Sequence, residues 1–294
     1  MIPYNTAVVL LGCATLGLAA GTVGTFALLR GRALVADAVG HAALPGVALA
    51  ALLVATFGGD PRGLPPLLAG AAMAGVAGVL AVQALARTRR IREDAAIAVV
   101  LSSFYALGVA LLSWLQTLPG AAQAGLSKFI LGQAAAMRAE DAVITASVAA
   151  ICLLVVLLGF QRLRAACFDP DFARIQGLAV GRVDLLLLGL MVTVCVAGLQ
   201  AVGLILVVAL LVLPAAAARL LTHRLPRMLA LGAGIGAACG AAGAWASALE
   251  PDLPTGAAVV LAGAALCLLA LILAPERGLL ACAATHLRRG LGAD

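Results

Sequence analysis

Hydrophobic residues run through this chain in unbroken stretches of about 20, the length that carries a helix across roughly 30 Å of hydrocarbon. Polar and charged residues collect in the short intervals between them. The stretches are continuous rather than alternating. Their backbone groups must therefore be satisfied inside helices, not around a closed barrel. The pattern predicts nine helices, over 5–29, 34–57, 64–86, 94–115, 141–160, 183–200, 201–221, 228–249 and 254–275. The 39 residues from Val183 to Leu221 are too long for one ordinary span, which places a division near Gly198 and Gly203. Residues 116–140 are less regular, and Gly125–Met137 is a short apolar segment that lies at the interface or dips into the membrane.

The expected fold is all-α: a polytopic transmembrane bundle of eight to nine spanning helices, one domain over residues 1–294. Composition supports this. Hydrophobic residues make up 64% and charged residues 11%, against about a quarter charged in a soluble domain. The net charge of +6 does not point to nucleic acid, because there is no long basic tract and aromatic residues are 4%. The first apolar stretch has no basic flank before it and reads as a permanent helix rather than a cleaved signal. The seven cysteines form no CxxC pair and mostly lie in apolar stretches, where cysteine behaves as a small hydrophobe. Gly232, Gly236 and Gly240 recur at the spacing that lets membrane helices approach closely.

Arginines set the expected orientation. Arg87, Arg89, Arg90 and Arg92 cluster in one interval; Arg162, Arg164, Arg174 and Arg182 in another; Arg219, Arg224 and Arg227 in a third; Arg277, Arg288 and Arg289 in the tail. By the positive-inside rule these face the cytoplasm, while Glu250 and Asp252 fall on the opposite side. Nine helices then place the N-terminus outside and the C-terminus inside.

An ionisable residue inside a membrane helix is costly and usually faces a cavity or a partner. Most acidic residues here lie in connections or at helix ends, and Asp184 begins a helix from which it can reach the interface. Asp37 differs, because it lies within the second apolar stretch with His41 four residues later. That spacing puts both side chains on one helix face. A carboxylate oxygen with an imidazole nitrogen is a ligand pair for divalent manganese, zinc or iron. Pro45 and Gly46 follow, and a proline inside a helix frees a carbonyl and favours a kink. The alternative is that Asp37 and His41 simply bond to each other or to a neighbouring helix. No phosphate-binding GxxxxGK[ST] loop is present, so an ATPase, if one drives the chain, is another polypeptide.

The segment DAVGHAALPG (37–46) resembles the signature of ABC-3 permeases, the membrane subunits of ABC-type manganese, zinc and iron importers. Asp37, His41, Pro45 and Gly46 match it; Ala36, Val39 and Gly40 depart from it. Similar stretches follow in order: 94–113, KFILGQ (128–133), FDPDFAR with Gly177 (168–177), 201–221 and LPTG (253–256). The resemblance implies a permease without an ATPase site or bound cofactor of its own, in a bacterial plasma membrane. It carries a divalent metal ion as substrate and acts as a pair with a second copy. Implied partners are two copies of a cytoplasmic ATP-binding subunit and an extracytoplasmic metal-binding protein. Asp37 and His41 match the pathway metal ligands. Phe168, Asp169, Pro170, Asp171, Phe172, Ala173, Arg174 and Gly177, within the cytoplasmic 161–182 segment, match the helix that couples to the ATPase. Asp169 and Pro170 independently suit the cap and first position of a short helix. A different class, a stand-alone gradient-driven cation transporter or channel using Asp37, would show uptake without an ATPase and inverted repeats, of which the sequence gives no clear sign. A purely structural subunit would be indifferent to substitution of Asp37 or His41.

Overall fold

Helix α1 spans Tyr4–Leu29 and α2 spans Ala33–Thr56, joined by only Arg30, Gly31 and Arg32. They open a computed structural model that describes residues 4–57, 64–88, 90–117, 137–201, 203–250 and 253–274. The order continues with α3 (Leu64–Arg87), α4 (Glu93–Thr117), α5 (Ala139–Leu158), α6 (Phe160–Phe168), α7 (Pro170–Ile175), α8 (Val180–Ala201), α9 (Leu204–Leu221), α10 (Leu225–Leu249) and α11 (Thr255–Leu273). Among the described residues all regular structure is helical. Eight of these helices are long and apolar enough to cross a membrane, and α9 supplies a shorter apolar helix over Val207–Leu221. All nine expected helices therefore exist, with boundaries shifted by a few residues.

The division of the longest apolar stretch falls where the glycines suggested. Gly203 takes φ 91°, a left-handed conformation that side chains disfavour, and α8 ends just before it while α9 begins just after. The 161–182 segment differs from an ordinary charged loop. Arg162 and Arg164 lie on α6, Arg174 on α7 and Arg182 on α8. The irregular region around 116–140 lies mostly outside the described residues, as does the 128–133 motif; Ala139 onward is helix.

The helices pack as two groups. One contains α1, α5, α9, α10 and α11; the other contains α2, α3 and α4. Helix α8 touches α1, α5 and α9 in the first group and α2 and α3 in the second. The first group is built around a backbone-close crossing of α1 on α10. A Cβ added at Gly17 would run into the Gly236 carbonyl, one at Gly21 into the Gly232 carbonyl, and one at Gly240 into the Cys13 carbonyl. Gly232, Gly236 and Gly240 are the glycines expected to serve packing, and Gly17 and Gly21 are their counterparts on α1. In hydrocarbon there is little hydrophobic drive between helices, so such close approach is the main source of their association. In the second group Gly46 of α2 and Gly70 of α3 face each other so closely that a Cβ on either would meet the other's carbonyl oxygen.

Candidate functional site

Asp37 and His41 sit in the first half of α2, which runs without interruption through Pro45. The i,i+4 spacing brings the side chains together: His41 Nε2 lies 3.3 Å from Asp37 Oδ1. His41 keeps 17% of its side-chain surface exposed and Asp37 keeps 40%. Two donors held at 2.0–2.2 Å from one tetrahedral ion stand about 3.4 Å apart. The separation thus fits both a direct His41–Asp37 contact and one edge of a metal coordination shell.

Several features hold this face of α2 in place. The ring of Tyr105, on α4, meets the His41 imidazole edge to face, with centroids 5.1 Å apart and an interplanar angle of 86°. One turn further along α4, a Cβ on Gly108 would lie 2.7 Å from Leu44 Cβ and 3.1 Å from Pro45 N. Helix α4 thus abuts α2 at the proline itself, while α3 abuts it at Gly46. Pro45 carries no N–H to donate to the His41 carbonyl four residues earlier. The expected kink is not needed to free that oxygen, because proline removes its helical donor in a continuous helix too. His41 Nδ1 is buried and makes no hydrogen bond. Among the described residues no group of three His, Cys, Asp or Glu side chains converges. Among the described residues, Asp37 and His41 thus supply two donors of a shell and not a third from the same residue types.

The other candidate segment lies apart from this pair. Phe168 ends α6, and the Asp169 carboxylate caps α7 by accepting the Phe172 N–H at 2.9 Å, with Pro170 at the first helical position. Asp171 pairs with Arg174 on the exposed face, Ala173 is buried, and Gly177 turns the chain with φ 81°. Phe168, Phe172 and Ile175 are exposed.

Sequence reasoning missed a charged network at the start of α2. Asp184, near the start of α8 as the sequence suggests, is also largely buried and bonded across the fold. Arg30 grips it with two bonds, Nε to Oδ1 at 2.8 Å and Nη2 to Oδ2 at 2.9 Å, and donates through Nη1 to the Ala166 carbonyl at 2.9 Å. Arg32 reaches the same carboxylate at 3.4 Å and approaches Glu93, the first residue of α4, at 3.8 Å. Hydrogen bonding to Asp184 raises the Arg30 guanidinium above its ordinary value. A cavity of about 480 Å3, whose walls include Arg32, Gln83, Arg87, Glu93, Arg182 and Asp184, opens beside the network. The sequence signal available was the pair of arginines, Arg30 and Arg32, between two spans. Tyr105 was missed as well, although it lies within the 94–113 stretch.

Comparison with known proteins bears on the whole chain. Residues 4–274 match the ABC 3 transport family. The zinc transport system membrane protein TroC of Treponema pallidum is 41% identical over 94% of this chain and 91% of its own length. The manganese transport system membrane protein MntC of Bacillus subtilis is 40% identical over 94% of this chain, which spans 62% of that longer protein. The solved structure of PsaBC from Streptococcus pneumoniae in complex with Fab contains a chain that superposes with TM-score 0.80 at 31% identity, covering 94% of each. A likeness this extensive, in sequence and in helix arrangement, makes the chain a member of the ABC 3 transport family.

Proposed function

We propose that this chain is the membrane permease of an ATP-driven importer that moves a divalent transition metal, zinc or manganese, with iron admitted by the same ligand chemistry, into the cytoplasm. The observation that carries the reading is the Asp37–His41 pair on α2, spaced for one ion and set in a membrane helix. The metal is the substrate, and the permease makes and breaks no covalent bond. Family membership and the relatives' zinc and manganese transport support the substrate class.

The finer parts of the reading follow from charge and exposure. Arg87, Arg162, Arg174, Arg182, Arg219 and Arg224 all fall at one set of helix ends when nine spans alternate, which supports a cytoplasmic location for those ends, and with them a cytoplasmic C-terminus, in a bacterial plasma membrane. Asp37 is too exposed on a single chain to face hydrocarbon. A second copy of the permease covering α2 and α4 gives it a polar, shared pathway. On the cytoplasmic side, exposed Phe168 at the end of α6 and exposed Phe172 and Ile175 on the capped helix α7 offer apolar surface suited to a groove in an ATP-binding subunit, one per permease. An extracytoplasmic metal-binding protein delivers the ion to the opposite face. Pro45 and Gly46 hold α2 against α4 and α3 just beyond the pair, where a small shift opens or closes the route.

Reconstitution tests this directly. With the ATPase and binding protein present, metal uptake into proteoliposomes should require ATP. Uptake driven by an ion gradient without ATP would move the assignment to a stand-alone cation transporter.

A further inference from the structure

We infer that Arg30 and Asp184 form the joint through which motion of the α6–α7 segment reaches the Asp37–His41 helix. The inference rests on the importer reading and adds to it a positioning role for residues that touch neither metal nor nucleotide.

Only Arg30, Gly31 and Arg32 separate α1, in one helix group, from α2, in the other. Helix α8, which carries Asp184 in its second turn, packs on both groups, and α9 touches α2 directly. The linker is the one covalent connection between α1 and α2, and a change in the relative placement of those two helices loads it. Arg30 binds Asp184 through two parallel bonds, the most directional form of carboxylate pairing. The same guanidinium holds the Ala166 carbonyl of α6, three residues before the Asp169 cap of α7. One side chain thus ties α6, α8 and the α1–α2 linker.

Arg32 carries the connection into α2. It precedes the first residue of that helix and makes no side-chain cap bond there. Its guanidinium instead reaches Asp184 and Glu93. Five residues later comes Asp37, about 7.5 Å along the axis at 1.5 Å per residue. Arg30 and Asp184 keep only 17% and 16% of their side-chain surface exposed. Losing either would strand a desolvated charge, unlike the exposed Asp171–Arg174 pair. The neighbouring cavity of about 480 Å3 leaves α3 and α8 room to move against each other without displacing packed core.

The test compares wild type with Asp184→Asn, Asp184→Glu and Arg30→Lys in proteoliposomes holding the ATPase and binding protein. Metal taken up per ATP hydrolysed is measured alongside zinc binding to the purified permease and its thermal unfolding. The joint predicts that Asp184→Asn lowers the uptake-to-ATP ratio by at least about fivefold while zinc affinity stays unchanged. It also predicts that Asp184→Glu, which keeps the charge, recovers most of the ratio, and that Arg30→Lys falls between. An unchanged ratio in Asp184→Asn overturns the inference. So does a parallel fall of uptake, ATP hydrolysis and zinc binding in all three variants with a lowered unfolding temperature, since that marks a structural role alone. If wild type itself shows no ATP-dependent uptake, the importer reading fails, and the joint with it; a coupled wild type with an unaffected variant removes the joint only.

Discussion

The imidazole of His41 and the ring of Tyr105 meet at nearly a right angle, 5.1 Å between centroids, across the contact of α2 with α4. The contact fixes which way His41 turns its nitrogens, leaving Nε2 toward Asp37. A phenyl ring can make the same edge-to-face contact, whereas a methyl cannot. Tyr105→Phe should therefore leave uptake within about twofold of wild type, and Tyr105→Ala should weaken zinc binding about three- to tenfold, the loss of roughly 0.5–1.5 kcal/mol. Isothermal titration of zinc into the purified permease distinguishes the two. Equal loss in both variants would mean that the hydroxyl, not the ring, matters.

Glycine packing of α1 on α10 makes a stability prediction. A Cβ at Gly236 meets the backbone of Gly17, which cannot turn aside as a flexible side chain can. Gly236→Ala should cost about 1–3 kcal/mol through forced separation of the helices. Gly234→Ala, with nothing within 4 Å of the new methyl, should be neutral or slightly stabilising. Thermal unfolding in detergent reads both. Equal effects at the two positions would contradict the close-crossing account.

Helix α7 is six residues long and depends on its cap. Asp169→Ala removes the acceptor for the Phe172 N–H and should weaken the helix by about 1 kcal/mol. Asp169→Asn or Asp169→Ser, which still cap, should restore it. If α7 docks the ATPase, the Ala variant lowers ATPase association and uptake together while zinc binding to the permease persists. Pull-down of the ATPase with each variant checks this, and unaltered association in Asp169→Ala would remove α7 from the docking surface.

Cys167, on α6 near the Arg30–Asp184 pair, is held by burial at a raised value of about 11; Arg30 lowers it and Asp184 raises it by smaller amounts. Raising a thiol from 9.0 to about 11 reduces its thiolate near neutral pH about a hundredfold. In a variant retaining only Cys167, maleimide labelling should be slow at pH 7.5 and still accelerating at pH 10. A rate that levels off by pH 9 would contradict the buried environment.

The helical architecture was legible because each span is a continuous apolar stretch closed by charge or glycine, and the Gly198–Gly203 break was visible in the same way. Asp37 and His41 stood out as ionisable residues where hydrocarbon permits few. What the pattern concealed were partners distant in sequence. Arg30 and Asp184 are 154 positions apart, and each alone looks like ordinary charge at a membrane boundary. Hydropathy records which residues avoid lipid, not which ones meet. Within segment 161–182 the short helix after Asp169 and Pro170 was legible from its cap, whereas the helix over Phe160–Phe168 was not, because arginines interrupt its apolar character although arginine is a good helix former. Tyr105 carried no signal of its own, since an aromatic residue in a membrane span is ordinary until its neighbour is known.

The central claim, a metal route through Asp37 and His41, is tested most directly by zinc and manganese uptake into proteoliposomes containing wild type, Asp37→Ala or His41→Ala permease with the ATPase and binding protein. Wild type should show ATP-dependent uptake and each variant at least a tenfold loss, about 1.4 kcal/mol or more of lost stabilisation along the route, with assembly of the complex intact. Wild-type rates in both variants would contradict it.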